Sequence, residues 1–418
     1  MNASGRTSNW DVVLRNTVTL DGERGDLAIQ TDRIAALGEV LGKGKVEFDA
    51  RGGLVFPGFV NAHTHLDKVN LLSRMTPQQF GKSLEENRSL LKELKSGYTP
   101  EEICRRAGQV IDEMFAYGTT AIRTQADVDP TAGLGALEGI LALKDQFAGK
   151  VDIQTVAFPQ EGILTNEKTD LIEQAVKMGA DVLGGLPAVE GTLEDGKKHI
   201  DRLFDIAEKH DLDLEVQIDE SNDPAQFLLP YLAEKALATE RAGRVFATHC
   251  ISLSAVPDDL ANTTIDTMAR ARMRVIVTPS CNMITRSGLP GRRYNSITRV
   301  RELLDAGVPV ALGTDNIRDI FYPLGNGSMI RELHVLATSA RLTDYGDAER
   351  LIRMATEEGA ALMGLDYGIS VGKRADLILA SHPRAQEVIS GPEILPLVIK
   401  GGSILAWNRP EKHRQEWP

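Results

Sequence analysis

Between residues 54 and 316, short apolar runs alternate with longer amphipathic stretches. Eight of the runs read as strands: LVFPGFVNAHTH, GTTAIRTQADV, VDIQTVAFP, ADVLGGLPA, LDLEVQIDE, RVFATHC, MRVIVTPS and PVALGTDN. Between most of them lie stretches such as EEICRRAGQVIDEMFAYG and GKKHIDRLFDIAEKHD, whose apolar residues recur at the helical period. Eight strands alternating with helices predict an α/β fold of the (β/α)8, TIM-like barrel type. The two ends have a different texture. WDVVLRNTVTL, DLAIQTDRIAALG and KVEFDARGGLVFPG at one end, and GKRADLILASHP and LPLVIKGGSILAWN at the other, are short strand patterns punctuated by glycine turns. These flanks are expected to meet as one small composite β-sandwich. The expected division is 1–57 for its first half, 58–368 for the barrel and 369–418 for its second half.

Polar residues gather at the ends of the candidate strands: His63 and His65, Gln160, Glu220, His249 and Asp315. Barrels of this type carry their active sites at the C-terminal ends of their strands. Polar residues scattered through a core would not segregate in this way.

Composition narrows the function classes. The net charge of −12 argues against a nucleic-acid or anionic-membrane binder, which needs basic surface. No apolar run is long enough to span a bilayer, and the opening MNASGRTSNWDVV lacks the apolar core of a signal peptide. Cys104, Cys250 and Cys281 are far apart and form no CxxC pair, so neither a disulfide framework nor a cysteine zinc site is expected. A cytoplasmic protein fits these features.

The chemistry is carried by a few positions. In FVNAHTHLD, His63 and His65 lie two apart on a strand, so both imidazoles face one way and can chelate one cation. Asp315 in GTDN ends the last strand, where a carboxylate can bind a metal and accept a proton from its water. Glu220, at the end of QIDE, can carry a proton from water to a leaving group; Asp219 is adjacent. His249 in RVFATHC holds a similar strand-end position. Each has a plain structural alternative, such as a turn aspartate, a solvated acidic loop or a hydrogen-bonded core histidine. Their convergence favours a site.

Together these residues resemble the amidohydrolase superfamily, and within it the bacterial cytosine deaminase group, over nearly the whole chain. PGFVNAHTHLD is the broad signature, while VAFPQEGIL (156–164) and DIFYPLGNGSM (319–329) are similar to narrower segments of that group. The resemblance implies His63, His65 and Asp315 as ligands of one divalent metal, zinc or iron, with manganese the harder alternative. It implies Glu220 as proton shuttle to a ring nitrogen and Asp315 as proton acceptor. His249 would orient the attacking hydroxide and stabilise charge on the intermediate. Gln160 would hydrogen-bond an amide-like edge of the substrate, and Asn316 and Phe321 would line its pocket. It also implies a homo-oligomer.

The departures are informative. The group's strand carrying Glu220 gives a histidine ligand three residues earlier, where this chain has Gln217. Gln125 stands where a histidine is often found, Asn316 replaces an acid, and Phe321 matches a tryptophan. A glutamine carbonyl is a neutral, harder and weaker ligand than imidazole. Three readings follow: a metal held by His63, His65 and Asp315 with Gln217 or His249 completing its shell; a weakly held or harder metal; or no metal, which would leave a catalytically silent ligand-binding homologue. The expected activity is hydrolysis of a C–N bond in a small nitrogen heterocycle, foremost deamination of a cytosine-like compound. Opening of a cyclic amide or lactam and triazine N-dealkylation are the alternatives on the same site.

Overall fold

The computed structural model describes residues 9–239, 241–285 and 297–408. The outermost residues of the two expected flanking spans, 1–8 and 409–418, lie outside the described residues.

The first four strands, β1 (Trp10–Val18), β2 (Arg24–Gln30), β3 (Arg33–Gly38) and β4 (Gly44–Asp49), form one sheet in the order β3-β2-β1-β4. The run LVFPGFVNAHTH, expected as one strand, is two. β5 (Val55–Pro57) and β6 (Phe59–Thr64) belong to different sheets. The break falls at Gly58, where a Cβ would lie 2.1 Å from Thr120 Oγ1, so only glycine lets the chain pass so close to the next strand.

β6 begins an eight-stranded parallel sheet that continues through β7 (Thr119–Asp127), β8 (Asp152–Phe158), β9 (Val182–Gly185), β10 (Asp213–Ile218), β11 (Val245–His249), β12 (Arg274–Val277) and β13 (Val310–Leu312) in sequence order. Every one of the eight expected strands contributes one of these. Ridge after ridge of Ile, Leu and Val from strands and helices fills the layer between them, including Ile122, Leu183, Val216 and Leu312 against Ile111, Leu203 and Leu232. Two helices separate β6 from β7: α1 (Leu84–Lys95), started by a Ser83/Glu86 capping box, and α2 (Pro100–Ala116), started by Thr99 and a proline.

The ring of strands closes at the end where the polar residues lie. Asp315 N–H donates to His63 O (2.9 Å) and His65 N–H to Asp315 O (3.3 Å). The Thr64 hydroxyl donates to Asp315 O (2.7 Å). Gly313 permits this closure, because a Cβ there would sit 2.4 Å from His63 O.

After the barrel, β14 (Leu377–Leu379), β15 (Leu397–Lys400) and β16 (Ser403–Trp407) join β5 in an antiparallel sheet of order β16-β15-β14-β5. The two small sheets share one apolar cluster, with Val12, Leu14, Leu27 and Ile29 from the first and Leu377, Leu379 and Ile399 from the second. Burial of those faces holds the two ends of the chain together.

Candidate metal and substrate site

The strand ends of the barrel bring together residues that are far apart in sequence. His63 Nε2 lies 3.6 Å and His65 Nε2 3.3 Å from Asp315 Oδ1. One ligand atom each from His63, His249 and Asp315 lie within 4.8 Å of one another, and all three residues are buried. His249 (φ 71°), the last residue of β11, and Asp315 (φ 56°), three residues past β13, have left-handed backbone. For residues with side chains this costs roughly 1–3 kcal/mol, and it persists where surrounding structure enforces it.

Each imidazole is oriented by its far nitrogen. His63 Nδ1 lies 2.6 Å from Glu215 Oε1. Glu215 in turn accepts from Gln125 Nε2 (2.7 Å) and Arg123 Nη1 (3.2 Å). Burial works against a charged Glu215, but His63 and Arg123 outweigh it and hold its pKa below the usual value. A carboxylate there accepts the Nδ1–H of His63 and leaves Nε2 facing the cluster, where a cation would take the place of its proton. His249 Nδ1 faces Asn282 Oδ1 at 2.8 Å, with Thr278 Oγ1 at 3.1 Å. His65 Nδ1 faces the Lys68 ammonium at 3.0 Å.

The residues fit a divalent cation. His63 Nε2, His249 Nε2 and Gln217 Oε1 are buried polar atoms without a hydrogen-bond partner among the described residues. What marks these out is their chemistry: imidazole nitrogens and an amide oxygen at the barrel mouth, with the Asp315 carboxylate, form a ligand set of nitrogen and oxygen donors. Burial works against charge on His63, yet the flanking Asp315 and Glu215 carboxylates outweigh it and push its pKa up to about 9. Burial also opposes ionisation of Asp315, but His63 and His65 hold it well below the ordinary carboxylate range. The same convergence of negative charge on imidazole attracts a divalent cation.

Gln217, next to last in β10, donates its Nε2 to Glu220 Oε2 (2.9 Å), and its Oε1 is buried without a hydrogen-bond partner among the described residues. Asp219 does something else. Its carboxyl oxygens accept the backbone N–H groups of Leu228 and Leu229, both at 2.9 Å, at the start of the helix Leu229–Ala238. Its neighbour Glu220 instead faces a small inner cleft.

That cleft, about 20 Å³, is lined by His65, Gln160, Gln217, Glu220, Asn316 and Phe321, together with Lys68, Leu84 and Arg88. All the residues expected to bind substrate therefore meet there. Asn316 donates through Nδ2 to Asp319 Oδ2 (2.5 Å), which orients its amide. Beyond Leu84, Glu220 and Phe321 opens an outer chamber of about 300 Å³, walled by apolar side chains that include Phe80, Ile284, Ile320 and Leu324.

Several participants escaped the sequence reading. Glu215 is two residues before Gln217, so its side chain shares a strand face with it; that spacing was the available signal. Asn282 and Thr278 carried no signal, because their tie to His249 spans a loop contact between neighbouring strands. Arg88 lies on α1, whose place over the mouth depends on tertiary packing.

Comparison with known proteins agrees with this geometry. The model of the amidohydrolase family matches residues 79–405. An N-isopropylammelide isopropyl amidohydrolase of Pseudomonas sp. (strain ADP) is 30% identical over 408 residues, covering 96% of this chain and 98% of that protein. A pterin deaminase of Rhizobium rhizogenes (strain K84 / ATCC BAA-868) is 29% identical, over 87% of this chain and 83% of the relative. Among solved structures, 5-methylcytosine deaminase from Klebsiella pneumoniae liganded with 5-fluorocytosine superposes with a TM-score of 0.90 at 28% identity, over 96% of this chain and 99% of that one. With its barrel, its buried His/His/Asp group and a family match over most of its length, the chain belongs to the amidohydrolase family.

Proposed function

We propose that this enzyme hydrolyses a C–N bond of a small, planar nitrogen heterocycle, releasing ammonia or an amine, with one divalent cation at the barrel mouth. The observation that carries the reading is the meeting of the unpartnered His63 Nε2 and His249 Nε2 with Asp315, together with a cleft lined by Gln217, Glu220 and Gln160. His63, His249 and Asp315 form the core of the ligand set, with His65 and Gln217 at its edge. Zinc or iron suits the imidazoles, while the glutamine and aspartate oxygens tolerate manganese. When bound, the cation supplies Lewis acidity that makes water a nucleophile at neutral pH.

The chain's own groups do the rest. Asp315 takes a proton as the water oxygen adds to the ring carbon. Glu220 carries the other water proton to the ring nitrogen, and Asp315 passes its own to the departing nitrogen, so that the C–N bond breaks, a ring carbonyl forms and a neutral amine leaves. Gln160 offers both a donor and an acceptor to an amide-like edge, Asn316 borders the same cleft, and Phe321 covers the ring. Cytosine-like aminated rings are the first class to test.

The outer chamber favours a second reading on the same site. Its apolar walls suit an alkyl group on the departing nitrogen, as in triazine N-dealkylation. Elemental analysis of protein purified without chelator, followed by turnover assays on aminated pyrimidines, pterins and N-alkylated triazines, tests both readings. About one equivalent of zinc, iron or manganese per chain is expected. Protein that holds no metal, even after incubation with those ions, and turns over none of these rings would establish a silent binding homologue instead.

A further inference from the structure

Arg88 differs from the other buried cations around the barrel mouth. Lys68 is paired with Asp127 (2.6 Å), and Arg123 spends its guanidinium on Gln154, Glu215 and the Leu362 carbonyl. Arg106 is satisfied by Glu102 and the Val69 and Asp67 carbonyls. Arg88, with its side chain only 19% exposed, projects from α1 into the inner cleft. Among the described residues its polar contact is Glu220 Oε2, 3.6 Å from Nη2, which is beyond hydrogen-bond reach. A guanidinium carries five N–H donors in a planar fork. Largely desolvated and with no hydrogen bond among the described residues, that fork has unspent capacity aimed where a substrate ring must lie.

We propose that Arg88 is a specificity residue that receives the electron-rich edge of an oxo-substituted heterocycle, a carbonyl oxygen together with an adjacent acidic ring nitrogen. Once that nitrogen has lost its proton, the planar fork matches the O–C–N edge with two parallel hydrogen bonds, which a ring bearing only amino groups cannot accept in the same way. The cleft then sorts the ring by function. Glu220 faces the ring nitrogen beside the carbon under attack, Gln160 reads an amide-like edge, and Arg88 requires an oxo group. This assignment rests on the cleft being the heterocycle site proposed above, and it narrows the substrate class to aminated rings that also carry a carbonyl.

Matched ring pairs test it without knowledge of the natural substrate. Binding of 5-fluorouracil against 2,4-diaminopyrimidine, and of cyanuric acid against melamine, is measured by calorimetry at mildly alkaline pH, where the oxo rings have largely lost an acidic ring proton and the amino rings are neutral. The native protein is expected to prefer the oxo member of a pair. Arg88→Met should weaken the oxo ring roughly tenfold or more and leave the amino ring unchanged, with bound metal per chain unaltered. Arg88→Lys, a point charge without the fork, should recover only part of the loss. Equal weakening of both rings would mean that Arg88 merely positions Glu220, and would overturn the assignment. Native protein that prefers the amino rings would overturn it while leaving the heterocycle site standing. Binding of none of the four would remove the site reading and this inference with it.

Discussion

Two buried polar clusters lie side by side at the barrel mouth, and they are built on opposite principles. In one, Lys68 and Lys95 are almost fully buried, yet every charge faces its opposite: Lys68 meets Asp127 at 2.6 Å, and Lys95 meets Asp127 at 3.6 Å, Glu161 at 3.2 Å and Asp129. In the other, His63, His249 and Gln217 each leave a buried polar atom without a hydrogen-bond partner among the described residues. The clusters touch where the Lys68 ammonium meets His65 Nδ1. Burial of polar groups is equally deep in both. Asp127 Oδ2 and Glu161 Oε1 of the first cluster also lack a hydrogen bond among the described residues, but each faces the Lys95 ammonium, at 3.6 and 3.2 Å, whereas the free nitrogens of His63 and His249 face only each other and Asp315. What separates a structural network from a candidate reaction site is this charge pairing. Charges in the first cluster exist to satisfy each other, whereas the donor atoms of the second are held in place by Glu215 and Asn282 for something that is not protein.

Breaking each cluster should therefore give different losses. The largest effect is expected in the unspent cluster: Asp315→Ala should lower kcat/KM by roughly 10³-fold or more while the circular dichroism spectrum and melting stay native. A variant with undiminished turnover would remove Asp315 from the chemistry. In the paired cluster the loss should appear as stability. Lys68→Met leaves Asp127 buried beside one cation fewer, and denaturant unfolding should show a loss of about 3–5 kcal/mol. An unchanged midpoint would show that water or a rearranged Lys95 takes over the charge.

Gln217→His sharpens the comparison by adding an imidazole to the unspent set. Resistance of the bound metal to a chelator should rise roughly tenfold, the scale on which single groups tune such sites. Faster stripping would place Gln217 outside the coordination sphere. The smallest effect concerns Glu332, whose carboxyl is pushed up to about 8 by burial, although it accepts the Ser280 N–H. The folded state holds its proton where the unfolded chain has lost it. Its contribution is thus fully present below the ordinary value of 4.5 and is lost as pH rises towards 8. Glu332→Gln should remove that decline, making the variant more stable than the parent near pH 8 by on the order of 1–2 kcal/mol, with a smaller difference in mild acid. Parallel stability–pH curves would contradict this.

Much of the architecture was legible along the chain. The eight apolar runs all became barrel strands, because alternation between strand and helix is written in local periodicity that each segment carries by itself. The run ending in HTH concealed two strands, since the break depends on how near Gly58 passes to Thr120, a contact no local pattern encodes. The facing of His63 and His65 to one side was likewise readable, because a strand repeats every two residues. Gln217 stood out by its residue type, and the structure adds that its carbonyl oxygen is the end left free.

The remainder depended on closure. Asp315 reaches His63 only because the last strand docks on the first, an approach that Gly313 permits and side chains elsewhere would block. Arg88 enters the cleft only because α1 folds over the mouth, and Asp219 became a helix-start acceptor while its neighbour Glu220 faced the cleft. Residue type and spacing determined the elements and the kinds of chemistry available, since both follow from covalent geometry and side-chain character over a few neighbours. Which of those groups are satisfied and which are left unspent was decided by the tertiary structure, because hydrogen-bond partners are assigned only when distant segments meet.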